Sequence, residues 1–392
     1  MKASPAQMLP ALSAAEAAHS ERLVALIGEE VRAGGGWLPF ERYMELALYA
    51  PGLGYYSAGA HKLGAGGDFV TAPEVSDLFG RCVARQCAPL LEATGGDILE
   101  LGAGTGRMAA AILAELAVLG ALPRRYQILE VSADLAERQR VALSGLPPEL
   151  SGRIEWLSAL PEPGFAGVML ANEVADALPC RRFVVRGAAV HELGVSLAEG
   201  GFAETEGPPA PALAHECARL FAALGGSPPE GYVSEVCLRA DAWIASLAAA
   251  LGQGALLVFD YGLPRRHYYH PQRATGTLRC HFRQRVHDDP YRNVGLQDIT
   301  AWVDFTRLAE SADGAGLAVA GFTTQAAFLL GLGIESLVAA AGTERERVRL
   351  AGESRRLVMP EEMGEAFKVI ALTRGTPAAL AGFELQDLRH LL

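Results

Sequence analysis

Two kinds of apolar pattern alternate along most of the chain. Short runs dominated by apolar residues stand at 98–101, 126–130, 153–157, 167–171, 255–260, 317–322 and 367–373. Each is short and flanked by glycines, prolines or charged residues, as buried strands are. Between them, 108–119 reads as an Ala/Leu-rich helix, 133–143 and 239–251 as helices, and 343–357 as a charged surface helix. Alternation of this kind predicts an α/β sheet of mostly parallel strands. Before the first strand the signals are helical. Residues 21–32 carry Leu23, Leu26, Ile27 and Val31 at helical spacing and end at Gly34-Gly35-Gly36; 40–49 is stopped by Pro51; and 77–91 follows a polar turn. Residues 1–18, rich in Ala and Pro, are expected to be loose. Short alternating runs over 181–205 predict β-hairpins inserted after the fourth strand, then a helix at 212–224 and an extended stretch at 232–236.

Composition narrows the class. With 392 residues, 50% hydrophobic and 20% charged, the chain can bury a large core. A net charge of −11 argues against nucleic acid or an anionic membrane as partner. The six cysteines (82, 87, 180, 217, 237, 280) form no C-x-x-C pair and no ligand spacing, so they read as reduced thiols of a cytoplasmic protein, and no metal site is expected. No basic stretch followed by an apolar core opens the chain, so no secretion signal is expected. The longest apolar runs fall far short of a membrane span. One stretch departs from this balance: 264–292 holds seven arginines, four histidines, Tyr268 and Tyr269. Such a loop can meet phosphates or an acidic partner. The favoured reading is an ordered insertion whose arginines pair internally, for example with Asp288 and Asp289.

Chemistry concentrates where the first strand ends, in Glu100-Leu101-Gly102-Ala103-Gly104-Thr105-Gly106. Strand, alternating glycines and helix make a tight turn whose backbone can approach a ligand too closely for any Cβ. A dinucleotide fingerprint needs glycine at 107, where Arg107 stands. The acid before G-x-G-x-G instead resembles the first motif of class I S-adenosylmethionine (SAM) methyltransferases. Glu130, 30 residues after Glu100, closes the second strand, where a carboxylate can accept both ribose hydroxyls. Leu157 and Ser158, at the end of the third strand, stand where adenine contacts are usual. Asn172, after the fourth, is grouped with the cofactor residues.

P-F-x-x-Y-M at 39–44, A-L-Y-x-P-x-x-G-Y-Y at 47–56, G-D-F-V-T-A-P-E-V-S at 67–76, the glycine turn and N-E-V-A-D-A-L-P at 172–179 together resemble the MidA family. The likeness runs from about Gly36 to Lys368. D-I-T-A-W-V-D-F at 298–305 resembles a further signature of that family, with Trp302 in place of its usual histidine. The resemblance implies a Rossmann-like class I methyltransferase: a seven-stranded, mostly parallel sheet with helices on both faces, an N-terminal helical extension and inserted hairpins and helices. It implies SAM as cofactor, a loop bordering its pocket through Gly67, Asp68, Phe69, Thr71 and Glu74, and an active site lined by Glu173 and Asp176. The mitochondrial members are protein arginine methyltransferases needed for assembly of respiratory complex I, which implies a protein partner carrying the acceptor arginine. On this reading the chain divides into an N-terminal helical segment with the lid loop (1–95), a first part of the SAM-binding domain (96–180), an inserted hairpin and helical region (181–253), a second part (254–375) with its own insertion (264–315), and a C-terminal tail (376–392). The oligomeric state is open, a homo-oligomer included.

Arginine as acceptor makes a definite chemical demand. A guanidinium pKa of about 13.8 means that full deprotonation at pH 7 costs roughly 9 kcal/mol. Carboxylates that grip the group can orient one nitrogen and take its proton late in the transfer. Glu173 and Asp176 meet that demand. They follow the fourth strand, at the carboxyl edge of the sheet, and their spacing places them on one side if 173–176 makes a helical turn. Val174-Ala175 between them is smaller than the bulky apolar pair common in the family, so the acceptor pocket is expected to differ. The alternatives are an RNA or small-molecule acceptor, or an assembly factor that binds SAM with little turnover. The absence of an N-P-P-Y motif after Asn172 counts against base methylation.

Overall fold

The computed structural model describes residues 9–58, 71–376 and 378–392. The chain divides into two compact units, each woven from separate stretches. Met1–Phe69, Ala177–Arg239 and Arg266–Trp302 make one, and Val70–Asp176, Ala240–Arg265 and Val303–Leu392 make the other.

The second unit is built on strands β1 (Asp97–Leu101), β2 (Tyr126–Leu129), β3 (Ile154–Leu157), β4 (Phe165–Asn172), β5 (Leu251–Leu263), β6 (Ala318–Thr324) and β7 (Phe367–Arg374). They lie in the order β6-β7-β5-β4-β1-β2-β3, and a two-residue strand, Val303–Asp304, pairs with the end of β5. All neighbours are parallel except β7, which is antiparallel to both β5 and β6. This is the class I methyltransferase fold that the motifs imply. The central strands are apolar because both their faces are covered; Ile98, Leu99, Val168, Leu170, Leu256 and Leu257 are fully buried. The strand order reverses between β1 and β4, which pair through Leu101 and Ala171. In doubly wound sheets this switch point, at the carboxyl ends of the strands, is where ligands bind.

Helices α1 (Asp77–Thr94), α2 (Arg107–Leu119) and α3 (Ala133–Leu143) cover parts of this sheet. α1 and α2 approach so closely at Gly80 that an added Cβ would stand 2.7 Å from Ala111 Cβ. The stretch 71–95, grouped from the sequence with the N-terminal segment, packs into the core of this unit through Val75, Leu78, Phe79 and Cys82. The insertion assigned to 264–315 belongs to the other unit only over Arg266–Trp302. Beyond it the helix Phe305–Gly314 turns Phe305 onto Phe322 of β6, with ring centroids 5.2 Å apart.

The first unit is antiparallel. Leu38–Pro39, Ala189–Ala198, Arg181–Arg186, Val233–Val236 and Gly201–Gly207 form one sheet, and Arg279–Phe282, Arg285–His287 and Asp298–Thr300 a second. The predicted hairpins are therefore present. Its first helix starts at Ala14, inside the stretch expected to be loose. The Ala-rich sequence hides the period there, but Ser13 and Glu16 close a reciprocal capping box on the first turn. Arginines of the 264–292 stretch pair locally: Arg279 with Asp288 and Arg292 with Asp289, both at 3.2 Å. Arg283 reaches Glu16 at 2.5 Å.

Candidate active site

The turn after β1 takes its shape from three glycines, Gly102, Gly104 and Gly106, with φ of +64°, +55° and +85°. An L side chain in this left-handed region costs roughly 1–2 kcal/mol. At Gly106 a Cβ would also press on Leu143 at 3.2 Å. Gly102 lies open, whereas Glu100, two residues back, is 1% exposed and points inward. Its carboxylate accepts the Tyr126 hydroxyl at 2.7 Å. Burial pushes this acid up to about 7 against the pull of that bond, with Glu130 adding a smaller push. Glu100, grouped from the sequence with the cofactor residues, thus stands beneath the turn, facing Tyr126 rather than the open side.

Glu130 directly follows β2. One of its oxygens accepts the Ser132 backbone N–H at 3.0 Å and the other the Gln139 side-chain amide at 2.9 Å, while burial raises its pKa. Gln139, in α3 and fully buried, donates also to the carbonyl of Gly104 at 3.0 Å and accepts the Trp156 indole N–H at 3.0 Å. Leu157 ends β3 half-buried, and Ser158 is exposed just beyond it.

The end of β4 carries Asn172, whose side-chain amide donates to Glu173 Oε1 at 3.3 Å while its own Oδ1 is buried without a hydrogen-bond partner among the described residues. Residues 173–176 do not make a helical turn, the condition on which their spacing would set both acids on one side. Glu173 sits at φ +52°, a left-handed value unusual for glutamate, and its N–H bonds the carbonyl of Phe259 at 2.9 Å. The physical reason lies on β5. Fully buried Asp260 uses Oδ2 to accept the N–H groups of Ala175 and Asp176, at 3.0 and 3.2 Å, and Oδ1 to accept that of Tyr261 at 2.9 Å. These bonds tie the loop to the end of β5. Burial first, then the charges of Asp176 and Glu173, hold the Asp260 carboxyl well above the usual range. Glu173 remains half-buried and Asp176 is 5% exposed. Val174, between them, reaches over the glycine turn: a Cβ on Gly102 would lie 3.5 Å from its Cγ2. The two predicted clusters therefore face each other across the switch point.

A third segment joins them. Glu74 accepts the Thr105 hydroxyl from within the glycine turn, and its backbone carbonyl accepts Arg107 at 2.7 Å. Arg107 also bonds Asp77 at 2.8 Å. Thr71 precedes the short helix Ala72–Val75. Gly67, Asp68 and Phe69 lie outside the described residues.

The model of a family described as S-adenosyl-L-methionine-dependent methyltransferase matches residues 82–323. The chain belongs to the MidA family of SAM-dependent methyltransferases. The protein arginine methyltransferase NDUFAF7, mitochondrial, of Danio rerio is 30% identical over 366 residues, covering 86% of this chain and 83% of that one. The protein of the same name from Homo sapiens is 29% identical, covering 86% and 80%. A crystal structure of a Burkholderia thailandensis protein bound to S-adenosyl-homocysteine is 44% identical, with a TM-score of 0.94 over 98% of this chain and all of that one. SAM is thus the cofactor of this methyltransferase.

Sequence reasoning missed Gln139, Trp156 and Asp260 as parts of this arrangement. Asp260 carried a faint signal, an acid at the carboxyl end of a buried strand. Gln139 carried one too, as the only amide on the buried stripe of α3, which is otherwise Leu135, Ala136 and Leu143.

Proposed function

We propose that the chain transfers the SAM methyl group to a guanidine nitrogen of an arginine in a partner protein. The observation that carries this reading is the half-buried Glu173 beside Asp176, on a loop fixed by Asp260 and set against the glycine turn through Val174. The names of the curated relatives favour the same acceptor.

The residues around the turn suit the cofactor. Gly102 and Gly104 leave room for the methionine part, and the Asn172 Oδ1, without a partner among the described residues, is an acceptor for its ammonium group. Glu130 keeps lone pairs for two ribose hydroxyls after its bonds to Ser132 and Gln139. Leu157 and Ser158 would border the adenine, and Thr71 and Glu74 the near wall, with Glu100 supporting the turn from below. Bound SAM supplies a methyl on a sulfonium, which leaves as a neutral thioether taking the C–S electron pair. The chain then has to align and to handle a proton. Alignment contributes roughly 7–11 kcal/mol in well-oriented systems. Glu173 and Asp176 grip the guanidinium and turn one nitrogen toward the methyl group. One of these carboxylates accepts the proton as the N–C bond forms, so the nitrogen never has to be free at pH 7.

The deciding experiment incubates the chain with radiolabelled SAM and a matched cell extract, then treats the product with protease or RNase. Label lost with protease and recovered as methylarginine supports the proposal. Label lost with RNase, or left in small molecules, assigns a different acceptor. Binding of SAM without any label transferred assigns an assembly factor with little turnover.

A further inference from the structure

We propose that Gln139 is a positioning residue for the cofactor, its single side-chain amide locking the open glycine turn, the acid Glu130 and Trp156 into one arrangement ready to bind. The inference rests on the cofactor placement proposed above. A glutamine amide has two N–H donors and one carbonyl. Here the nitrogen serves Gly104 O and Glu130 Oε2, and the oxygen serves Trp156 Nε1, all within 2.9–3.0 Å. The three partners come from three separate places: the turn after β1, the end of β2 and the strand β3. Gly104 and Glu130 are among the residues proposed to meet SAM, and Trp156 directly precedes a third, Leu157.

Packing alone does not call for an amide at this position. Position 139 is fully buried on a stripe otherwise made of Leu135, Ala136 and Leu143, where Leu or Met would fill the same space without desolvating a polar group. What the amide adds is direction. The Gly104 carbonyl is held toward α3 at a fixed direction. Glu130 is fixed by two donors, Ser132 N–H and Gln139, so its remaining lone pairs have a set direction. Trp156 is held by its indole N–H on one side, and the Arg140 guanidinium lies over its ring at 5.1 Å. A flexible glycine turn left without this anchor must lose its freedom when ligand binds, and that lowers affinity.

The test uses the full chain and S-adenosyl-homocysteine, with calorimetry for affinity and indole-¹⁵N labelling of its four tryptophans for geometry. Trp156→Phe assigns the Trp156 signal. In the unmutated chain that signal must shift on titration, and a signal that stays put overturns the proposal without any variant at 139. Gln139→Met, which keeps the volume and loses all three bonds, should weaken binding about tenfold. Gln139→Glu sets a carboxylate against the Gly104 carbonyl and Glu130, so it should weaken binding more than Met does. Affinities within twofold of the unmutated chain in folded variants, whatever their thermal stability, would make Gln139 a packing residue only. Gly104→Val separates the anchor from the cofactor placement. If it abolishes binding while Gln139→Met does not, the role of Gln139 alone fails; if it too leaves binding intact, the cofactor placement fails first.

Discussion

The end of β2 and the end of β4 each present carboxylates at the switch point of the sheet, and the groups standing behind them differ in kind. Glu130 is oriented by a neutral amide, Gln139, and by a backbone N–H. The loop of Glu173 and Asp176 is oriented by a third carboxylate, Asp260, buried and accepting three backbone N–H groups. A neutral support imposes no charge on its neighbour and does not titrate. A carboxylate support adds repulsion to the two acids that it holds. Burial first, and that repulsion second, raise Asp260, and Glu173 beside it holds a left-handed backbone. A cofactor side whose support carries no charge is thereby set beside an acceptor side whose support is itself an acid.

The strongest way to break this division is Glu173→Gln. If Glu173 serves the acceptor and not the cofactor, methyl transfer should fall by about 10³-fold, within the usual range for a positioned acid–base group. Affinity for SAM, measured by calorimetry, should stay within twofold. Equal loss of both would move Glu173 to the cofactor side and remove the contrast.

Next in size is a pH effect beneath the glycine turn. Glu100 has a folded pKa of about 7 against the ordinary 4.5, so the folded chain holds its proton more tightly than the unfolded one. Its contribution to stability is complete below pH 4.5 and is lost as pH rises through 7. The shift corresponds to about 3 kcal/mol. Glu100→Gln should flatten the decline in urea stability between pH 5 and pH 8, and an unchanged slope would show that the acid does not titrate in that window. The Tyr126 bond survives with the amide oxygen as acceptor, so the turn should keep its shape.

Asp260→Asn probes the other support. Both oxygens of Asp260 accept N–H groups, so whichever way an asparagine sits, its NH₂ faces a donor. Leaving such a buried group unmatched costs about 1–3 kcal/mol. The loop should relax away from the left-handed Glu173, with methyl transfer about tenfold lower and SAM affinity within twofold. A fall in affinity equal to the fall in turnover would tie Asp260 to the cofactor side instead.

The seven strands of the sheet were legible because each is a short, largely apolar run that needs no knowledge of its neighbours. The glycine turn was legible for the same reason, since its conformation is written in consecutive residues. The supports were not. Gln139 is 35 residues from Gly104, and Asp260 is 84 residues from Asp176; only the completed sheet brings them together. The conformation of 173–176 was illegible on that account: the spacing sets both acids on one side only if the segment is helical, and a carboxylate from a distant strand end takes up its N–H groups instead. The same limit explains Glu74 and Thr105, whose bond joins two motifs that the sequence presents as separate.

The smallest effect sharpens the comparison most narrowly. Ser132 caps α3, its hydroxyl accepting the Leu135 N–H at 3.4 Å, and its own backbone N–H donates to Glu130 at 3.0 Å. Ser132→Ala removes the first bond and keeps the second, because the second belongs to the main chain. Loss of such a cap costs typically about 1 kcal/mol. Urea unfolding should therefore show that deficit while affinity for S-adenosyl-homocysteine changes less than twofold, in contrast to the tenfold expected for Gln139→Met. A tenfold loss in Ser132→Ala would mean that helix start, and not the amide, directs Glu130. The neutral support would then be the first turn of α3 as a whole, and the contrast with Asp260 would lie between a helix end and a single side chain.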